Sequence, residues 1–391
     1  MIGTIAEPVI RSATRPTWAE VSLAQLRQNF RTLQLHVGSA VNVCAVVKAH
    51  AYGHGSLECA RALESEGAKW FGVTSLDEAI PLREAGITGR LLLMTGFWRG
   101  EEEELIRLHL TPIIWEAWQV ELMEKAASTL GVSRQPVHLK VDTGMGRLGV
   151  ALSDLPAICS ALRSAQHLRF EGLSTHLASS EALDSDSVEK QLKAFEQARS
   201  IARSAGLAPE FVHVANTGSI IARRETWNNM VRPGIALYGY HLPFQRPAKE
   251  VNNNTHLAIT PVLTWKTRIL SLRDVQANQP LGYGGTYVTK APAHIAVLPV
   301  GYADGLNRQL SSRGRVIVRG HYAPIVGRIS MDLTLVDVTG INGIAVGDEV
   351  ILLGSAGGLS VDAVEHATLA NTVPYEILCN ISKRVPRRYS S

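Results

Sequence analysis

The segment Val41-Asn-Val-Cys-Ala-Val-Val-Lys48 is an almost uninterrupted apolar run that ends in a lysine and continues into Ala-His-Ala-Tyr52-Gly53-His54-Gly55. A short run rich in β-branched residues, followed by a glycine-rich turn, predicts a strand buried in a parallel sheet. Seven further short apolar segments follow before about residue 245, with amphipathic helix candidates between them. This alternation predicts repeated strand–helix units.

The strand candidates of this first part are Val43–Val47, Trp70–Val73, Leu91–Met94, Thr111–Ile114, Val137–Val141, Gly172–Thr175, Phe211–Val214 and Met230–Arg232. Eight strand–helix units in about 220 residues favour a closed (β/α)8 TIM-like barrel over an open doubly wound sheet.

Two of the helices between these strands carry recognisable start signals. Leu23–Leu35 has one apolar stripe, and Ser22 before it is a candidate N-cap. A second helix is predicted after Ser75, which has capping-box spacing to Glu78. Pro81 conflicts with a regular helix there, so we expect a kink or a later start.

After about Asn254 the chain consists of β-rich segments separated by Gly and Pro: Val262–Leu272, His294–Val300, Arg315–Val318, Ile325–Ile329, Leu333–Val338 and Glu349–Leu353. Such a series predicts a separate, mainly antiparallel β domain. We therefore expect the barrel over residues 22–245, a linker over 245–258 and the β domain over 255–391. The N-terminal strand around residues 15–21 is expected to join the β domain.

Composition excludes several classes of function. The 391 residues are 46% hydrophobic with a net charge of +4, which is ordinary for a soluble protein and gives no sign of nucleic-acid binding. The four cysteines lie in no disulfide or metal-ligand pattern, so no metal site is expected. No apolar run approaches a membrane span, and we expect a cytoplasmic protein with a short leader through about Thr14.

Lys48 is the first candidate for chemistry. Active sites of such barrels lie at the C-terminal ends of the strands, where this lysine stands. Partial desolvation lowers the pKa of a lysine and makes its amine a better nucleophile, although a strand-end lysine can also simply extend to solvent. Tyr52, in a glycine-flanked loop, offers a hydroxyl to a phosphate.

The segment AVVKAHAYGHG (residues 45–55) resembles the cofactor-lysine signature of the alanine racemases, a family of pyridoxal-5'-phosphate (PLP) enzymes with a barrel and a β domain. The resemblance extends from about Pro16 to Pro386. It implies that Lys48 binds PLP covalently and that Tyr52 contacts the PLP phosphate.

The segment from His138 to Gly149, HLKVDTGMGRLG, also resembles that family. By this resemblance Arg147 contacts the substrate carboxylate and the catalytic tyrosine, and Lys140 is carbamylated to hold that arginine. An ordinary salt-bridged lysine is the alternative for Lys140. His176 is implied to lie beside the catalytic tyrosine and the cofactor ring, the alternative being a hydrogen-bonded core histidine.

The loops after the last two strands are a common phosphate site in barrels, because backbone amides at the start of a short helix point into them. Thr217, Gly234 and Ile235 are the candidates there, although a simple turn and helix start is the alternative. The resemblance puts Arg232 beside the pyridine nitrogen of PLP. An arginine cannot accept a proton from that ring, which weakens the ring as an electron sink and limits side reactions.

Racemisation needs a proton donor or acceptor on each face of the reacting carbon, and Lys48 can occupy only one face. The segment Leu281-Gly-Tyr283-Gly-Gly-Thr-Tyr287 resembles the part of the family that holds the second base, which implies this role for Tyr283. The resemblance further implies that Tyr302, Met331 and Asp332 line the substrate entry or contact its carboxylate. Tyr375 is implied to touch the phosphate and to narrow the pocket around a methyl side chain.

The resemblance implies a homodimer in which the β domain of one subunit completes the barrel site of the other, so that Tyr283 acts in trans. The expected reaction interconverts L-alanine and D-alanine, which serves peptidoglycan synthesis or D-alanine catabolism. Three alternatives remain: a broad-specificity or serine racemase, a PLP-dependent decarboxylase of basic amino acids, and a non-enzymatic PLP-binding protein. Tyr375 weighs against a broad-specificity or serine racemase, and Arg232 weighs against a decarboxylase. The β domain weighs against a non-enzymatic PLP-binding protein.

Overall fold

The computed structural model describes residues 15–245 and 256–391, which form two compact units. One unit comprises Ser22–Val262 with Tyr389–Ser391, and the other comprises the chain up to Val21 with Leu263–Arg388. The predicted leader through Thr14 and most of the predicted linker at 245–258 lie outside the described residues.

The first unit is a closed parallel barrel, as predicted. After β1 (Thr17–Ser22), which belongs to the other unit, its strands are β2 (Asn42–Val46), β3 (Trp70–Val73), β4 (Arg90–Leu93), β5 (Leu110–Ile114), β6 (Gln135–Lys140), β7 (Leu168–Ser174), β8 (Phe211–His213) and β9 (Met230–Val231). Each strand pairs with the next along the chain. The barrel closes where Asn42 and Val43 pair with Met230 and Val231.

The helices of this unit are α1 (Leu23–Val37), α2 (Lys48–Tyr52), α3 (Ser56–Ser65), α4 (Leu76–Glu84), α5 (Glu102–Arg107), α6 (Ala117–Thr129), α7 (Leu155–Ser164), α8 (Ser187–Ser204) and α9 (Thr217–Ala222). Short 3-10 turns lie at Arg224–Thr226 and Ile235–Tyr238.

Helix starts follow the local sequence in one case and not in another. Ser22 caps α1 as predicted, because its hydroxyl accepts a hydrogen bond from the Gln25 amide. The capping box predicted at Ser75 is wrong: Ser75 makes no side-chain cap, and the carboxylate of Glu78 binds other groups. Of the kink or later start expected at Pro81, the later start is wrong, since the helix begins at Leu76 and includes Pro81. The kink stays a prediction.

The interior of the barrel is apolar in one layer and polar in the next. Cys44, Trp70, Leu92, Ile113, Phe211 and Met230 form one buried cluster. Side chains alternate along a strand, so the residues two positions after Phe211 and Met230, namely His213 and Arg232, face the same interior. Both are buried, and they begin a polar layer at the C-terminal ends of the strands.

The second unit is mainly antiparallel, as predicted. Its further strands are β10 (Leu263–Arg268), β11 (Ser271–Val275), β12 (Pro280–Leu281), β13 (Tyr287–Val288), β14 (Ala293–Leu298), β15 (Arg315–Val318), β16 (His321–Val326), β17 (Thr334–Asp337), β18 (Glu349–Ala356), β19 (Leu359–Val361) and β20 (Arg387–Ser390). Most form one sheet in the order β11-β14-β17-β16-β15-β18-β10-β1-β20, and β19 pairs with β18. Helices α10 (Ala363–Ala370) and α11 (Pro374–Cys379) follow.

The β-rich segment predicted at Val262–Leu272 forms parts of two strands, β10 and β11. β10 pairs with β18, whereas β11 pairs with β14. The change of strand partner falls at Ile269 and Leu270, whose amides donate to the backbone carbonyls of Asp348 and Val297 respectively. A continuous stretch of residues that favour β structure therefore contains a bend, and the chain pairs with different strands before and after it.

Candidate active site

Lys48 follows β2 directly, at the C-terminal end of the barrel, and opens an unusual turn. Ala49, His50, Ala51 and Tyr52 have φ values of 51°, 56°, 53° and 53°, so four consecutive non-glycine residues are left-handed. This conformation costs roughly 1–2 kcal/mol for each such residue. Strain of this kind persists only where surrounding contacts impose it, and it concentrates at functional sites.

Glu78 supplies one of those contacts. Its Oε1 accepts a hydrogen bond of 2.7 Å from the Ala49 amide. Its Oε2 accepts from the amide and hydroxyl of Thr74, at 2.7 and 2.9 Å. The carboxylate therefore joins the lysine turn to the residue after β3. The sequence did not indicate this role, because capping-box spacing accounted for the same glutamate.

The loop that carries Arg147 is held by hydrogen bonds from its backbone amides to the side chain of Asp142. One oxygen of Asp142 accepts hydrogen bonds from the amides of Gly144, Met145 and Gly146. Gly149 has a φ of 135°, and a Cβ there would lie 2.4 Å from the Asp142 amide nitrogen. The glycine-rich sequence thus permits a tight return of the chain, and it leaves Arg147 exposed at the mouth of the barrel.

Gln191, buried on α8, ties together the loops after β6 and β7. Its Oε1 accepts from the Ala178 amide, while its Nε2 donates to the His176 carbonyl and to the Thr143 hydroxyl. Gln191 was not predicted from the sequence, where a single glutamine on the apolar face of an amphipathic helix would have been its only signal.

Positive charge dominates the mouth of the barrel. Burial lowers the pKa of Lys140 to about 8, and the nearby charges of Arg232, Arg147 and Lys48 act in the same direction. Burial and the same group of cations lower the pKa of His176 to about 3, so its ring is neutral at physiological pH. An anionic ligand would relieve the mutual repulsion of these cations.

Arg232 and Lys140 are the two buried members of the four cations Lys48, Lys140, Arg147 and Arg232. Nη1 of Arg232 donates to the His213 carbonyl and to His213 Nδ1, both at 2.7 Å. Its Nη2 donates to the carbonyls of Thr175 and Val214. Burial lowers its pKa to about 10, so it remains charged at neutral pH. Among the described residues no carboxylate forms an ion pair with Arg232, and its Nε has no hydrogen-bond acceptor.

The residues predicted to bind phosphate do come together. A Cβ on Gly234 would lie 2.3 Å from the hydroxyl oxygen of Tyr52, so only glycine lets this hydroxyl come so close to the backbone. The hydroxyl of Thr217 accepts from the amides of Gly234 and Ala236, at 3.2 and 3.4 Å. Ile235, fully buried, begins the 3-10 turn between them.

The predicted residues of the second unit lie on three neighbouring loops. Tyr302 and Ala303 donate their amides to the carbonyls of Ser330 and Met331. A Cβ on Gly282, next to Tyr283, would lie 3.4 Å from the Arg328 amide nitrogen. The side chains stay open to solvent: Tyr283 is 71% exposed, Met331 52% and Tyr302 43%.

Asp332 and Tyr375 belong to the same unit. Arg384 donates to Asp332 Oδ1 at 2.6 Å, so the aspartate is neutralised by a cation of its own unit. The Ser330 hydroxyl bridges the amide and carbonyl of Leu333 and closes the turn that contains Asp332. Tyr375 is the second residue of α11 and is half-buried.

The chain matches two family descriptions, "Alanine racemase, N-terminal domain" over residues 21–242 and "Alanine racemase, C-terminal domain" over residues 262–389. An alanine racemase of Geobacter sulfurreducens is 40% identical over 380 residues, which cover 96% of this chain and 97% of that protein.

Solved structures are similar over the same extent. A crystal structure of alanine racemase from Streptomyces lavendulae has a TM-score of 0.89 at 34% identity and covers 97% of this chain and 98% of that one. The alanine racemase of Bartonella henselae, whose structure has covalently bound pyridoxal phosphate, has a TM-score of 0.84 at 31% identity, covering 96% and 99%. Barrel, β unit and full-length similarity agree, and the chain belongs to the alanine racemase family.

Proposed function

We propose that this chain is an alanine racemase that interconverts L-alanine and D-alanine with PLP held covalently by Lys48. The observation that carries the proposal is the group of four cations, Lys48, Lys140, Arg147 and Arg232, at the mouth of a closed barrel. PLP and an amino acid bring a phosphate and a carboxylate, which are the anions that such a group would bind.

The residues present fit PLP. The Tyr52 hydroxyl lies against Gly234, and the Thr217 hydroxyl accepts from the Gly234 amide, so two hydroxyls and the start of the 3-10 turn at Ile235 meet at one place. Hydroxyls and backbone amides at a helix start are the groups that bind a phosphate. Arg232 has a free Nε donor and no carboxylate partner among the described residues, which suits a hydrogen bond to an unprotonated ring nitrogen.

When bound, PLP supplies an electron-withdrawing ring that makes the α-hydrogen of an attached amino acid acidic. Arg147 binds the substrate carboxylate with its planar fork of donors. The Lys48 amine moves a proton on one face of the α-carbon, and the Tyr283 hydroxyl moves a proton on the other. Neutral His176 lies beside the cofactor ring and Tyr283 as a hydrogen-bonding partner.

Lys140 is carbamylated in this proposal. A buried amine with a pKa of about 8 is partly neutral at physiological pH, and only a neutral amine adds carbon dioxide. The resulting carbamate would be an anion among Arg232, Arg147 and Lys48, and it would hold Arg147 in position.

The active enzyme is a homodimer, and Tyr283, Tyr302, Met331 and Asp332 act on the barrel of the partner subunit. The exposure of Tyr283, Met331 and Tyr302 supports this, because large apolar side chains on adjacent loops mark an interaction surface. Tyr375 contacts the phosphate and favours a methyl side chain in the substrate.

Racemisation is favoured over decarboxylation because Arg232 keeps the ring a weak electron sink, which suits a reaction that only moves a proton. The D-alanine formed serves peptidoglycan synthesis or is consumed in catabolism. A cytoplasmic location is part of the same proposal, since Cys44, Cys59, Cys159 and Cys379 are free thiols. No helix among the described residues is long and apolar enough to cross a membrane.

The purified protein, reconstituted with PLP, tests this function. Optical rotation or circular dichroism should show loss of L-alanine signal to a racemic end point, with L-serine, L-lysine and L-arginine turned over far more slowly. Equal turnover of any of these three would overturn the substrate assignment. The Lys48→Ala variant should lose covalent PLP and activity, whereas Lys69→Ala, an exposed lysine before β3, should retain both.

A further inference from the structure

A hydrogen-bonded chain leads from Arg232 across the interior of the barrel. His213 accepts from Arg232 at Nδ1, and its Nε2 lies 2.8 Å from Nδ1 of His138. Nε2 of His138 lies 3.3 Å from Oε2 of Glu171. We call Arg232, His213, His138 and Glu171 the barrel relay.

Only one arrangement of protons satisfies every contact in the barrel relay. An arginine can only donate, so His213 Nδ1 must be unprotonated and its proton must be on Nε2. That proton is donated to His138 Nδ1, so His138 also carries its proton on Nε2. Nε2 of His138 then donates to the Glu171 carboxylate, which accepts. Burial lowers the pKa of both histidines, so each has a single ring proton.

Glu171 is held as a carboxylate at the far end of the relay. It is fully buried, and Arg90 and Arg169 both donate to it, Arg90 at 2.5 Å. Burial alone raises its pKa, but the hydrogen bonds from His138 and Arg90 outweigh burial and bring it to about 2. A neutral carboxylic acid, which could donate to His138 and reverse the relay, is therefore not formed at physiological pH.

Residues of the neighbouring barrel strands pack closely around the His138 ring. A Cβ on Gly172, the strand neighbour of His138, would lie 2.3 Å from His138 Nδ1. The ring centroids of Trp70 and Phe211 lie 5.7 and 6.1 Å from that of His138. These contacts fix the ring plane, so the two nitrogens of His138 cannot exchange partners by a ring flip.

We propose that Glu171 is a positioning residue for the reaction: through His138 and His213 it presents an acceptor to Arg232 and so aims the arginine at the cofactor ring nitrogen. This inference rests on the proposed function, because it needs PLP beside Arg232. Glu171 itself touches neither cofactor nor substrate.

The test uses the holoenzyme with 15N-labelled histidine and with PLP labelled with 15N at the pyridine nitrogen. In the wild type, His138 and His213 should both show their proton on Nε2. Glu171→Gln introduces an amide N–H that can donate to Nε2 of His138, so a population of His138 with its proton on Nδ1 should appear. The pyridine 15N resonance of PLP should move as well. We expect kcat to fall by about 10-fold, because one hydrogen bond that positions Arg232 is lost, and KM to change little.

Two further variants keep the result interpretable. Glu210→Gln is the matched control, because exposed Glu210 also accepts from Arg169 but lies outside the relay; its spectra should match the wild type. His138→Phe keeps an aromatic ring between Trp70 and Phe211 but breaks the relay, so it should move the pyridine resonance even if Glu171→Gln fails to fold.

The outcomes separate the two proposals. A wild-type protein that takes up no PLP would overturn the proposed function and this inference with it. A wild type that binds PLP and racemises alanine, with the pyridine resonance unchanged in Glu171→Gln and His138→Phe, would overturn only the positioning role of Glu171.

Discussion

At the scale of single residues, burial and nearby positive charge act together against protonation of Lys140. Its pKa falls from 10.5 to about 8 because the buried amine lies among three other cations. The protonated form is therefore disfavoured in the folded state relative to the unfolded state. The free-energy penalty is complete below pH 8 and disappears as the pH rises from about 8 to 10.5.

Replacing Lys140 with Met should remove this penalty. In carbon dioxide-free buffer, the free energy of unfolding of the wild type should rise by roughly 3 kcal/mol relative to Lys140→Met between pH 7 and pH 10.5, measured by denaturant titration. Added bicarbonate should stabilise the wild type but not the variant, because carbamylation replaces a cation with an anion. Lys69→Met, at an exposed lysine, should show neither effect. If the free energies of unfolding of the wild type and Lys140→Met changed with pH in parallel, the prediction would be wrong.

At the scale of elements, the left-handed turn after Lys48 is the most strained segment of the described chain. Ala49 is exposed and has a φ of 51°, so its side chain makes the turn costly without filling a core site. Ala49→Gly should raise the free energy of unfolding by about 1 kcal/mol, since glycine enters this region without the steric cost.

The same substitution in an ordinary helix provides the control. Ala157, exposed within α7, should lose about 1 kcal/mol when changed to Gly, because glycine weakens a right-handed helix. Chemical denaturation of the two variants should therefore give shifts of opposite sign. Destabilisation of similar size in both would mean that the turn is not left-handed in solution.

At the scale of the whole molecule, shared active sites predict complementation between two inactive chains. A mixed dimer of Lys48→Ala and Tyr283→Phe subunits has one site with both substitutions and one site with neither. Mixed dimers purified through two different affinity tags should then have about half the wild-type turnover. If each site lay within one subunit, the mixed dimer would be no more active than its parents.

Much of the molecule follows from local sequence. The eight barrel strands are short apolar runs with turn signals on both sides, and the candidate site residues Lys48, Arg147 and His176 follow strand ends. Because the C-terminal ends of parallel strands meet at one edge, their positions in sequence already predict that these side chains share a site. The glycine-rich loop before Arg147 was also recognisable, because glycine permits the positive φ values and close backbone approach that a tight turn needs.

The tertiary structure alone decided the partners that hold those residues. Glu78 contacts Ala49 and Thr74, and Glu171 is connected to Arg232 through His138 and His213, across more than one strand of the closed barrel. Periodicity specifies which face of a strand is buried, but not which distant side chain it meets. Those contacts exist only after the barrel closes, because closure sets the register between strands and hence the direction of every buried polar group.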